Sequence, residues 1–206
     1  GLYNYRRIFQ DTDILHTVKN TFIYGLGSTL FQNVFGLFFA VLLDQRIRGT
    51  KLVRTIIYTP KMISGLIMGY IWYFMLRPKF GAIPVLLNSF GIQTGNLLAM
   101  GDATVWVIVA VNVFQAAGDS MIFYQAGMQS ISTDYYEAAE LDGATAWQKF
   151  KWITFPLLIP SIEFTVTLNI IGGMKLFDII KSLTNGGPGS LTESLSTLMY
   201  RMYFAK

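Results

Sequence analysis

The chain contains no cysteine and a single histidine, His16. Without thiols there is neither a disulfide framework nor a thiolate metal site. His16 has no second imidazole to share a metal with, so a surface role is expected for it. Charge is scarce too: Asp, Glu, Lys and Arg make up 14% of the 206 residues, against roughly 25% in soluble domains. That is too little for an ordinary solvated surface. No GxxxxGK[ST] run occurs, so the chain has no P-loop for ATP. HExxH and GxSxG are missing as well, and no carboxylate pair falls in a plausible pocket, which points away from catalysis and from a cofactor held by this chain.

Apolar length is what the sequence has in abundance. Hydrophobic residues reach 52% and the mean hydropathy is +0.44. Four runs, residues 20–43, 54–76, 103–127 and 156–177, approach or exceed the ~20 residues that cross a bilayer as helix. They lack the polar face at 3.6-residue spacing that a soluble bundle needs. An all-α, multi-pass membrane protein is therefore expected. Gly25, Gly27, Ser28, Gly36 and Ala40 recur along the first run, and small residues let helices approach closely in lipid. Trp72, Trp106, Trp147 and Trp152 fall near run ends or between runs, as interfacial aromatics do.

The net charge of +4 comes from scattered Lys and Arg without interleaved aromatics, which excludes a nucleic-acid stripe. The short loop 44–54 carries Arg46, Arg48, Lys51 and Arg54 against Asp44, placing it on the cytoplasmic side. Alternation then puts 77–102 and 178–195 outside, and the opening stretch is expected inside.

Between the third and fourth runs lies a polar insert, residues 130–155. Asp134 with Glu137 is expected to form a reciprocal cap at a helix start, and Thr145 with Gln148 a second one. Gly143 is expected to end the first helix in the left-handed conformation. Asp134, Glu137, Glu140 and Asp142 make this knob acidic, so the anionic inner leaflet would repel it and a protein partner suits it better.

EAAELDGA followed by ITFPLLIP resembles the EAA loop of permease subunits in binding-protein-dependent ABC importers: Glu137, Ala138, Ala139, Gly143, Ile153 and Pro156 match, and Phe155 replaces the usual leucine. NTFIYGL, GLFFAVLL, RTIIYTP, GYIW and LTNGGPGSLTE are similar, in order, to the sugar-importer branch. The resemblance implies the permease fold and import of a sugar or oligosaccharide across a bacterial or archaeal cytoplasmic membrane. It implies a second permease, an extracytoplasmic solute-binding protein, and two ATPase subunits holding ATP and Mg that engage Glu137, Ala138, Ala139, Asp142 and Gly143. The chain starts at Gly1, and by this resemblance it would be the middle of a longer subunit with a further span on each side.

Ionisable groups inside spans cost at least about 2.5–3.5 kcal/mol each, so each asks for a pathway or a partner. By resemblance, Lys61, Gly65, Gln115, Ala116, Asp119, Asn169 and Gly173 face a substrate cavity, with Lys61 where an aromatic or apolar residue is common and Ala116 where glycine occurs. The residues alone leave another reading open: Lys61 and Asp119 neutralise one another, and Asn112, Gln115 and Asn169 tie helices together. Lys175 stands near a span end. A secondary transporter or channel, driven without ATP, is the alternative function; it calls for inverted repeats and a charge relay.

Overall fold

A computed structural model describes residue 2 and residues 11–44, 49–92 and 95–204. Arg6 and Arg7, and Arg46 and Arg48 of the basic loop, lie outside the described residues. The described residues form ten helices: α1 Thr12–Asp44, α2 Thr50–Met62, α3 Gly65–Leu76, α4 Ala82–Ser89, α5 Asp102–Gln129, α6 Thr133–Leu141, α7 Ala146–Leu157, α8 Ile159–Met174, α9 Asp178–Leu183 and α10 Leu195–Phe204. No strand occurs among the described residues.

The two longest helices, α1 and α5, are each long and apolar enough to cross a membrane, and α7 with α8, joined through a 64° bend, would make a third. The bend falls at Leu158, between Pro156 and Pro160, where two missing amide donors and two ring clashes interrupt the helical ladder. The second apolar run differs from expectation. It is not one helix but two, α2 and α3, parted at Ile63–Ser64. Pro60 near the end of α2 and the Ser64 hydroxyl, which accepts from the Ile67 amide and caps α3, mark the break.

The centre of the bundle is α5, which has α1, α2, α3, α8 and α9 around it. Its apolar side chains join two clusters. Val105, Ile108 and Val109 pack with Tyr24, Met68, Ile179 and Ile180, while Met121, Tyr124 and Met128 pack with Ala40, Leu43 and Leu158. Close approach depends on glycine. A Cβ on Gly118 would stand 2.6 Å from the Ile57 carbonyl of α2, so only hydrogen fits there. Around this core, Leu30, Phe38, Ile56, Phe74 and Phe164 are exposed, an apolar exterior suited to lipid.

The start of α1 lies at the opposite end of that helix from Asp44, so the two ends do not share the one side expected of them. One 33-residue helix carries the chain from end to end. Near its start, Lys19 Nζ stands 3.3 Å from Asp102, and Asn20 Nδ2 donates to the carbonyls of Leu191 (2.7 Å) and Glu193 (3.2 Å). The glycine-rich turn 184–194 is thus pinned to α1, as is α10, through the Leu195 amide and Thr21 Oγ1. Buried Glu193 takes a two-point contact from Arg201, at 2.7 and 2.9 Å.

Candidate functional site

A cavity of about 420 Å³ opens where the α2–α3 break and the C-terminal end of α8 face α5. Its walls include Lys61, Ser64, Gly65, Asn112, Gln115, Gly172, Lys175, Phe177 and Asp178. A helix break inside an apolar layer leaves backbone carbonyls without partners, and such irregular backbone persists only where protein or a polar cavity satisfies it. Gln115 does this here: its Nε2 donates to the Ile63 carbonyl at 2.7 Å. Asn112 Nδ2 donates to Ser28 Oγ at 2.9 Å, tying α5 to α1, while Gln32 Nε2 donates to the Asn112 carbonyl at 3.4 Å.

Lys61 and Asp119 meet at 2.7 Å, linking the last turn of α2 to the middle of α5. Of the residues assigned to the cavity from sequence, Lys61, Gly65 and Gln115 line it, while Asp119 is outside the lining and pairs with Lys61. Asn169 instead donates to Ser120 Oγ at 2.9 Å, bridging α8 and α5. Ala116 is half-buried on α5 and outside the lining. Gly173 is buried, and a Cβ there would stand 2.7 Å from the Tyr24 carbonyl and 2.8 Å from Gly25 Cα. It lets α8 cross the π-helical turn Ile23–Gly27 of α1. Gly172 lines the cavity in its place, since neighbours on a helix point about 100° apart. Ser64, Gly172, Phe177 and Asp178 line the cavity without having been expected there. Ser64 carried a signal, a capping residue four positions after a proline.

The polar insert folds as a knob. Ser132, not Asp134, caps α6: its hydroxyl accepts from the Asp134 amide at 3.3 Å, and Asp134 falls in the first turn, where the helix dipole favours its charge. Gly143 has φ +75°, and the amides of Gly143 and Ala144 donate to the carbonyls of Glu140 and Ala139 at 3.0 and 2.9 Å, closing the helix with a Schellman motif. The Thr145–Gln148 capping box forms as expected, the Gln148 side chain accepting from the Thr145 amide at 2.8 Å. Lys149 Nζ donates to Glu140 at 2.7 Å, and this bond and charge hold the Glu140 carboxyl below its ordinary range. Tyr136 and Thr154 share a hydroxyl bond at 2.9 Å, bracing α6 on α7.

With this bracing, α6 buries none of its own residues. Glu137, Ala138, Asp142 and Gly143 are exposed, Ala139 is half-buried, and Leu141 is 90% exposed. α6 is thus held from one side, with the rest of its surface open.

A membrane-embedded helical bundle with a polar cavity at a helix break and a braced knob at one end defines a transport component. Residues 32–205 match the family described as "binding-protein-dependent transport system inner membrane component", and the chain belongs to it. Among curated relatives, the trehalose/maltose transport system permease protein MalF of Thermococcus litoralis is 32% identical over 98% of this chain and 69% of its own length. The probable starch degradation products transport system permease protein AmyD of Thermoanaerobacterium thermosulfurigenes is 32% identical, covering 100% and 70%. An sn-glycerol-3-phosphate transport system permease protein, UgpA of Agrobacterium fabrum, is 31% identical, covering 98% and 68%. The fold superposes with a TM-score of 0.90 and 26% identity on a chain of a bacterial ABC transporter involved in import of the acidic polysaccharide alginate, covering 100% of this chain and 73% of that one.

Proposed function

We propose that this chain is the permease subunit of an ATP-driven importer that moves a sugar or oligosaccharide through a bacterial or archaeal cytoplasmic membrane. The observation that carries this reading is α6: a helix braced on one side with none of its residues buried. Such an open face leaves room for a protein partner. The acidic residues Glu137 and Asp142 with Gly143 suit a groove on a separate ATPase subunit, and closure of an ATPase pair on ATP and Mg would move α7 and, through the bend at Leu158, α8 as a lever. The spans are α1, α2–α3, α5 and α8, and the 44–54 loop and the knob are cytoplasmic.

Names of relatives support the substrate class, since trehalose/maltose and starch-product permeases align over nearly the whole chain. The cavity supports it independently. Amide, hydroxyl and charged groups around the flat face of Phe177 match a ligand with many hydroxyls and apolar ring faces. A second permease would close the open side, and an extracytoplasmic solute-binding protein would deliver the sugar at the end that holds the pinned 184–194 turn.

The test is co-purification with candidate ATPase subunits, followed by uptake of labelled saccharides into vesicles with and without the solute-binding protein. Uptake that needs both ATP and the binding protein is expected; uptake driven by a proton or sodium gradient alone overturns the reading and favours a secondary transporter.

A further inference from the structure

A groove of about 660 Å³ runs along the outside of the bundle between α1, α2 and α5, and every residue that lines it is apolar or aromatic. Phe31, Phe35 and Phe39 of α1 form one wall, a ladder of stacked rings with successive centroids 6.5 Å apart. Ile57 and Pro60 of α2 face them. The groove lies on the far side of α5 from the polar cavity. Asn112 and Gln115 line the cavity, whereas Ala110, Val113 and Ala117 line the groove, and at about 100° per residue these two sets point in roughly opposite directions. A subunit that closes the cavity from its open side therefore leaves the groove facing the bilayer.

Cations stand at one end of this apolar strip. Lys51, Arg54, Ile57 and Pro60 follow at three-residue steps along α2, a spacing that makes each the surface neighbour of the next. Arg54 is fixed in place: its Nη2 donates to the Leu43 carbonyl of α1 at 2.8 Å, and its Nε has no hydrogen-bond partner among the described residues. From Leu43 to Phe31 is roughly 18 Å of helix at about 1.5 Å per residue, close to the ~15 Å that one leaflet contributes to a bilayer's hydrocarbon. Among the described residues neither Lys51 nor Arg54 has a carboxylate within ion-pair distance. In sequence, the 44–54 segment carries Arg46, Arg48, Lys51 and Arg54 against the single acid Asp44.

From this arrangement we infer that the groove is a binding site for an anionic phospholipid of the leaflet beside the 44–54 loop. One hydrocarbon chain lies along the Phe31–Phe35–Phe39 ladder, and the phosphate meets Lys51 and the remaining donors of the Arg54 guanidinium. The apolar walls accept any hydrocarbon chain; the cations at their end choose the headgroup, because Lys and Arg at a membrane surface favour anionic lipid over neutral. The site goes beyond the importer reading and needs from it only that the bundle spans a membrane.

The test is photolabelling of the full protein, purified in detergent with the subunits that accompany it. The probe is phosphatidylglycerol with a diazirine in one acyl chain, and the competitors are unlabelled phosphatidylglycerol and phosphatidylcholine with the same chains. Adducts are expected on residues 31–39 of α1 and 56–60 of α2, with phosphatidylglycerol competing at roughly tenfold lower concentration than phosphatidylcholine. Lys51→Gln, at an exposed position, is expected to reduce that advantage to about threefold with the adducts still in the groove. Ala110→Phe, which places a ring in the groove, is expected to remove the adducts. Absence of adducts from the groove in the native protein overturns the inference and points to a protein segment or second permease covering it. Equal competition by the two lipids overturns it as well, as does full labelling of the Ala110→Phe variant. ATP-driven uptake, measured after reconstitution, reports on the importer reading separately: its absence with groove labelling intact overturns that reading and leaves the lipid site standing.

Discussion

The cavity and the knob are both built from polar residues set among apolar helices, and they treat those residues in opposite ways. At the cavity the polar groups answer one another: Gln115 serves the Ile63 carbonyl, Asn112 serves Ser28, and Lys61 meets Asp119. At the knob, bonds close only the rear and the ends of α6, through Tyr136 to Thr154, Glu140 to Lys149 and the turn at Gly143, while Glu137 and Leu141 face outward. The difference follows from the solvent. Unmatched groups within a bilayer cost several kcal/mol each, so a cavity there must be self-satisfied before a ligand comes. The knob, in water as proposed, bears no such cost and can keep a face open for a partner.

Two substitutions sharpen this contrast, the larger effect first. Gln115→Leu removes the donor to the Ile63 carbonyl and leaves it unpaired at the α2–α3 break; a loss of about 2 kcal/mol is expected, in the range for a buried acceptor without a partner. It should appear as a lower unfolding temperature in detergent together with weakened saccharide binding, and an unchanged midpoint would mean that the break does not depend on Gln115. Thr145→Ala removes one half of the capping box, for an expected local loss of about 1 kcal/mol. Hydrogen exchange should then rise over residues 146–149 with the bundle unaffected. A fall in protection within α5 would show instead that the knob and the core are one cooperative unit.

How much of this was legible in the sequence depended on how local each signal was. The Gly143 turn and the Thr145–Gln148 box involve neighbours in the chain, and both stand where the residues put them. The Asp134 cap failed by a small shift: Ser132 offers the same chemistry two residues earlier, and nothing in the sequence ranks one above the other. The Lys61–Asp119 pair was legible as a possibility because isolated charges in apolar runs need partners, although the distance needed the fold. The break at Ile63–Ser64 was hidden by hydropathy that stays apolar on both sides of it. Asp178 and Gly172 reach the cavity through long-range packing, and the choice between Gly172 and Gly173 turns on a helix rotation that no local pattern sets.

As proposed, the knob couples this chain to an ATPase, and the bundle folds without that contact. Glu137→Lys, on the exposed face of α6, tests it most directly. The predicted result is normal insertion and yield in the membrane, loss of the ATPase subunits on purification, and no ATP-driven uptake in reconstituted vesicles. Normal uptake with full stimulation of ATP hydrolysis by that variant would contradict it.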